Sequence, residues 1–342
     1  MRILSYFVIG LFLLTGIIIL WRNGKNHERP AVNNSTSDSV KLAMDWTPNT
    51  NHTGIYVAQN MGWYKDQGID LTILPYSANV SSAVIITNGK ADVGITSIED
   101  IVGETAKNNP IVSIGAVLQH NTSGFIVLAD SKITRPKELD GKIYAGFGSP
   151  FESAVVMETI KKDGGLGNFK NITLDVKAMQ ALESKRIDFV WVFEGWEVIQ
   201  AKLDGLLINF FPLTLYGIPD SPTLLFAATP KEILEKPQVL QRFMKATAQG
   251  FEYARLHPRE SAQILINSTP KDTFPNLKLV FESQDYLSTK YADSNQKWGI
   301  QNSKAWHDYP QFMLDSNSIT DSTGNPVKTL DFDTLFTNQF LP

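Results

Sequence analysis

The chain has 342 residues, 43% hydrophobic and 19% charged, an ordinary globular composition at a length suited to about two domains. Its 31 Lys and Arg against 35 Asp and Glu leave a formal net charge of -4, which argues against a basic nucleic-acid binder. It has no cysteine, which excludes disulfides, zinc–thiolate and iron–sulfur sites, a thiol nucleophile and a lipid-modified cysteine anchor.

In chain order, Met1 and Arg2 precede an uncharged run over residues 3–21. At about 1.5 Å per residue it matches a hydrocarbon core of roughly 30 Å. It is longer than the apolar stretch of a cleavable signal, and the polar residues 21–25 make a poor cleavage site. The expectation is an uncleaved membrane anchor or signal segment over residues 1–22, with cleavage and release as the alternative. Residues 23–39 are polar and bury too little surface to offset the entropy of ordering, so they read as a flexible linker.

A strand is expected at 40–44, a turn-rich run at 45–54, a helix at 55–64 and a strand at 69–74. A helix at 81–88, a strand at 92–95, a helix at 98–107 and strands at 111–118 and 124–128 follow. This alternation predicts a mainly parallel sheet covered on both faces. The pattern restarts with strands at 142–145, 172–176 and 189–193, helices at 151–162, 179–184 and 196–203, and an extended stretch at 205–211. After a Pro- and Gly-rich segment comes a strand at 223–228. The remainder reads as helices at 237–256, 259–267, 277–291, 303–317 and 331–340. The class is therefore α/β: two open sheets with flanking helices. Residues 40–120 and 223–342 form lobe 1 and residues 121–222 an inserted lobe 2. The two hinge crossings fall near 119–125 and 217–223. Such sheets bind ligands at the carboxyl ends of their strands, and paired crossings allow closure.

The runs DWTPNTNHTGIYVA (45–58), GWYKDQGIDL (62–71), GKADVGI (89–95) and WGI (298–300), with Trp306, carry a family resemblance. The chain resembles periplasmic-type binding proteins for thiamine-pyrimidine precursors. That family also holds riboflavin binders and the fungal pyrimidine synthases, with nitrate, taurine and alkanesulfonate binders more distant. The WxPNxxHxG signature is moderately specific to the pyrimidine-like branch, whereas GKADVGI is shared widely. The resemblance covers the chain from about Val40. It implies a bilobed type II periplasmic-binding-protein fold and the solute-binding component of an ABC importer. The implied partners are a small heteroaromatic ligand, permease and ATPase subunits, and the membrane through the N-terminal segment. The implied protein is an extracytoplasmic monomer without cofactor or catalysis.

A flat, polar ring needs aromatic faces and directional edge partners. The first strand end offers Asp45, Trp46, Asn49 and His52. Trp46 has a core residue as its alternative, while His52 reads equally as a helix-start hydrogen bonder and Asp45 equally as a loop cap. Ser97 is a helix N-cap whose hydroxyl could face the cleft. Gly148 and Ser149 lie in a glycine turn that brings backbone N–H groups toward a ligand and favours an anion or carbonyl oxygen; the plain alternative is a tight strand–helix turn. Glu194, Trp196 and Glu197 frame the turn after strand 189–193. There a carboxylate suits an exocyclic amine, unless Glu197 serves as a cap. Alternation sets Trp191 and Phe193 on one face. Tyr216, before the second crossing, is a lesser candidate. Enzyme readings fare worse. Alignment with the fungal synthases sets Thr96 at their Schiff-base lysine and Asp100 at their substrate histidine, and Thr96 has no amine. A hydrolase using the Glu194 and Glu197 pair has no supporting motif. Riboflavin is the runner-up ligand.

Overall fold

The structure, a computed structural model, describes residues 37–342 except 79, 150, 175 and 176. The expected anchor at 1–22, the linker up to residue 36 and two residues of the expected strand 172–176 lie outside the described residues. Among the described residues, no helix is long and apolar enough to cross a membrane.

Two five-stranded sheets organise the chain. The first contains β1 (Asp38–Ala43), β2 (Ile69–Leu74), β3 (Val93–Thr96), β4 (Val112–Leu118) and, far later, β10 (Thr223–Ala228). The second contains β5 (Ser123–Leu128), β6 (Ile143–Gly146), β7 (Lys170–Thr173), β8 (Phe189–Phe193) and β9 (Ile208–Pro212). Their orders are β2-β1-β3-β10-β4 and β7-β6-β8-β5-β9. Both sheets are mixed rather than mainly parallel. β10 runs antiparallel to β3 and β4, and β5 antiparallel to β8 and β9. These are the strands that flank the crossings, where the chain leaves one sheet and enters the other. The expected linker also ends early. Asp38 and Ser39 already pair with Ile69 and Asp70, because strand pairing needs backbone groups and not apolar side chains.

Helices Thr53–Asn60 and Pro237–Leu256 cross against the first sheet at very short range. A Cβ on Gly250 would lie 1.9 Å from the Gly54 carbonyl oxygen, and one on Gly54 would lie 2.3 Å from the Phe251 ring, so both positions require glycine. Trp298 stacks on Phe251 at 4.4 Å and donates from Nε1 to the Val117 carbonyl at 3.1 Å. Trp298 and Trp306, both part of the resemblance, are fully buried core residues.

The expected helix at 331–340 is not formed. Only the short turn Phe332–Thr334 is helical, capped by Asp331, and the chain beyond it is irregular apart from Phe336, which bridges to Ser113. β4 is the edge of its sheet, and the tail satisfies that edge: Ser113 N–H donates to Leu335 O and Thr337 N–H to Ser113 O. The short helix Pro230–Glu235, not expected, starts with Thr229 as N-cap and proline in its first turn. The expected helix at 196–203 is a wide turn over Glu194–Val198 that tightens into Ile199–Leu203.

The crossings are tied together. Asp220 accepts from Asn121 N–H at 2.9 Å and lies 2.5 Å from His120 Nδ1, while His120 Nε2 lies 3.0 Å from Asp293. Hydrogen bonding to Asp220 is the main influence that raises the His120 imidazole to about 9.

Candidate functional site

Loops at the strand ends of both sheets enclose a cavity of about 460 Å³. The loop after β1 supplies Asp45, Trp46 and Asn49 to its wall. This loop is held by a reciprocal cap. Asn49 Oδ1 accepts from Asn51 N–H at 2.9 Å, and His52 Nδ1 accepts from Asn49 N–H at 3.2 Å. With Nδ1 an acceptor, the ring proton sits on Nε2 and is donated to Asp45 Oδ1 at 2.9 Å. His52 is wholly buried and does not line the cavity. It holds Asp45, which does line the cavity. Trp46 leans on Tyr76 with ring centres 4.8 Å apart.

The end of β3 and the start of helix Ile98–Ala106 add Thr96, Ser97, Glu99 and Asp100. The Ser97 hydroxyl accepts from Asp100 N–H at 3.1 Å, so it acts as an N-cap at the cavity wall. Thr96 Oγ1 donates to Asp100 at 3.0 Å. Tyr309, from helix Ser303–Asp315, donates to Glu99 at 2.5 Å from behind the wall. Burial pushes both Glu99 and Asp100 above the usual carboxyl range.

The second sheet provides an aromatic wall. Trp191 and Phe193 of β8 face the cavity together with Phe147, Phe151 and Trp196. Phe125, Phe147 and Phe151 surround Trp191 at 5.9, 6.4 and 6.2 Å. Trp191 Nε1 is buried with no hydrogen-bond partner among the described residues. Glu197 accepts from Phe193 N–H at 2.9 Å, and burial raises its carboxyl group. The carboxyl side chains on the described wall are Asp45, Glu99, Asp100 and Glu197; no Lys, Arg or His lines it.

Of the residues expected from sequence, Asp45, Trp46, Asn49, Ser97, Ser149, Trp196 and Glu197 share this cavity, while His52, Gly148, Glu194 and Tyr216 do not line it. Gly148, at φ +91°, turns its N–H inward to Glu152. Glu194 accepts from the Tyr286 hydroxyl at 2.7 Å and faces a smaller cavity of about 270 Å³ behind the hinge. Tyr216 packs edge-on against Phe211. Tyr76, Glu99, Asp100, Phe147 and Trp191 were not among the expected site residues. Tyr76 follows the carboxyl end of β2, where the strand-end rule applies. Glu99 and Asp100 look in sequence like ordinary first-turn acids.

A family model described as NMT1/THI5 like matches residues 49–261. The chain belongs to the NMT1/THI5-like family. This NMT1/THI5-like chain is 25% identical over 277 residues to the formylaminopyrimidine-binding protein of Halalkalibacterium halodurans, covering 79% of the chain and 83% of that relative. It is 23% identical over 269 residues to the 4-amino-5-hydroxymethyl-2-methylpyrimidine phosphate synthase of Legionella pneumophila, covering 77% and 84%. The alkanesulfonate-binding protein SsuA of Xanthomonas axonopodis pv. citri, bound to MOPS, superposes with a TM-score of 0.62 at 12% identity, over 81% of this chain and 91% of that one. The NMT1/THI5-like chain thus has the bilobed type II periplasmic-binding-protein fold.

Proposed function

We propose that the chain is the extracytoplasmic solute-binding component of an ABC importer and captures a thiamine-pyrimidine precursor between its lobes. The observation that carries this reading is the wall chemistry of the cavity. Aromatic faces on both sides suit a flat ring, and the charged groups on the described wall are carboxylates. A ring amine is a natural partner for them, whereas a sulfonate or nitrate would meet repulsion without a cation. The formylaminopyrimidine-binding relative supports the same ligand class. Residues 40–120 with 223–342 act as one lobe and 121–222 as the other. Ligand favours the closed state, and the closed form delivers it to a permease and ATPase pair. The protein works as a monomer, held at the membrane by residues 1–22.

The synthase relatives favour a second reading, a pyrimidine-forming enzyme. The residues do not fit its pyridoxal phosphate. Thr96, aligned with the Schiff-base lysine, has no amine and is bonded to Asp100. Native mass spectrometry of the purified protein tests the proposal. A co-purified mass matching a pyrimidine supports it, a flavin mass shifts it to riboflavin, and a sulfonate overturns it. Schiff-base absorbance after incubation with pyridoxal phosphate and iron would rescue the enzyme.

A further inference from the structure

We propose that Glu152 is an internal counter-anion that fills the oxyanion seat of the second lobe and so makes the cleft refuse phosphate and sulfonate groups. The geometry begins at the end of β6. Residues 146–149 form a glycine turn that opens helix Glu152–Lys162. Successive backbone N–H groups at such a turn make a seat for an anion. Here the seat is taken. Phe147 N–H donates to Glu152 Oε1 at 3.1 Å, and Gly148 and Ser149 N–H donate to Oε2 at 2.6 and 2.8 Å. The Tyr144 hydroxyl donates to Oε1 at 2.6 Å.

Glu152 is 0% exposed, and it forms no ion pair among the described residues. Three amides and a phenol therefore balance its charge. Gly146 is shaped by the same group: a Cβ there would lie 2.0 Å from Glu152 Oε1. Burial and the adjacent Glu152 hold the Tyr144 phenol well above its ordinary range, which keeps it a donor.

Gly146, Phe147 and Ser149 line the cleft, yet the donors of this turn point away from it. A phosphorylated or sulfonated ligand would have to expel a carboxylate bound at four points. It would do so beside Asp45, Glu99, Asp100 and Glu197, with no cation on the described wall. The consequence for the ligand, an uncharged or amine-bearing ring without an acid group, rests on the solute-binding reading. The filled seat does not.

The test is calorimetric titration of the full-length protein and its Glu152→Ala variant with inorganic phosphate. The variant should gain saturable phosphate binding at least about tenfold tighter than wild type, the scale of one charge-assisted hydrogen bond. Equal binding by both, or no gain in the variant, overturns the proposal. If Glu152→Ala does not fold in chloride, its folding is read in formate at equal ionic strength. Rescue by formate, which replaces the missing carboxylate, supports the proposal, and failure of rescue overturns it. These titrations contain no pyrimidine. A pyrimidine that fails to bind therefore removes the functional reading and leaves this result standing.

Discussion

Two loops at equivalent strand ends use buried ionisable groups in opposite directions. After β1, buried His52 donates outward to Asp45, and the carboxylate reaches the cleft. After β6, buried Glu152 draws three backbone donors inward, and the cleft loses them. One lobe thus presents an acceptor and the other withholds its donors. The sign of a binding cleft is set as much by groups hidden behind its wall as by those on it.

The contrast breaks most visibly through stability. Glu152→Ala should cost about 3 kcal/mol, because it leaves the buried Tyr144 hydroxyl and three partly buried amides without their acceptor. His52→Ala should cost less, about 2 kcal/mol, since Asp45 can turn to water. Denaturant unfolding of the two variants measures both, and equal losses would erase the asymmetry.

Ligand affinity gives the next effect. Trp196 lines the cleft and meets Phe274 edge-on at 6.3 Å, so Trp196→Ala should weaken the ligand by about 2 kcal/mol, roughly 30-fold. An unchanged affinity retires Trp196 as a contact.

Acidity sharpens the comparison further. Burial raises Glu99, Asp100 and Glu197, so between the ordinary carboxyl range and their raised values the folded chain holds protons that the unfolded chain has lost. Unliganded stability from these groups therefore falls as pH rises through that window. A ring amine that donates to these carboxylates favours their ionised forms, so binding should release protons and weaken on acidification. Titrations in buffers of different ionisation heat read this directly.

The smallest effect is expected at the hinge. His120 is raised from 6.5 to about 9, so its contribution is complete below 6.5 and lost as pH rises through about 9. The imidazole is about half exposed, and screening holds that contribution below about 1 kcal/mol. Thermal unfolding of His120→Ala against wild type across this range should converge above pH 9.

Local patterns were legible in the sequence. The strands Ile69–Leu74, Phe189–Phe193 and Thr223–Ala228 and the helix Pro237–Leu256 follow from periodicity and punctuation within the segment itself. The direction of β10 and the bridge of Phe336 to Ser113 depend on partners more than a hundred residues away, which no local window contains. At the site, Asp45, Trp46 and Glu197 were accessible through the strand-end rule. Glu152 was hidden because a first-turn acid looks alike whether it faces solvent or turns into the loop before it. Gly148 misled for the same reason: its turn was visible, but not which anion its N–H would meet.

A cleft that selects amine-bearing rings and rejects oxyanions predicts opposite outcomes for two ligands in one paired titration. The full-length protein is titrated calorimetrically with 4-amino-5-hydroxymethyl-2-methylpyrimidine and, separately, with MOPS. Saturable heat with the pyrimidine and none with the sulfonate is the predicted result. Saturable binding of MOPS with no response to the pyrimidine would contradict it.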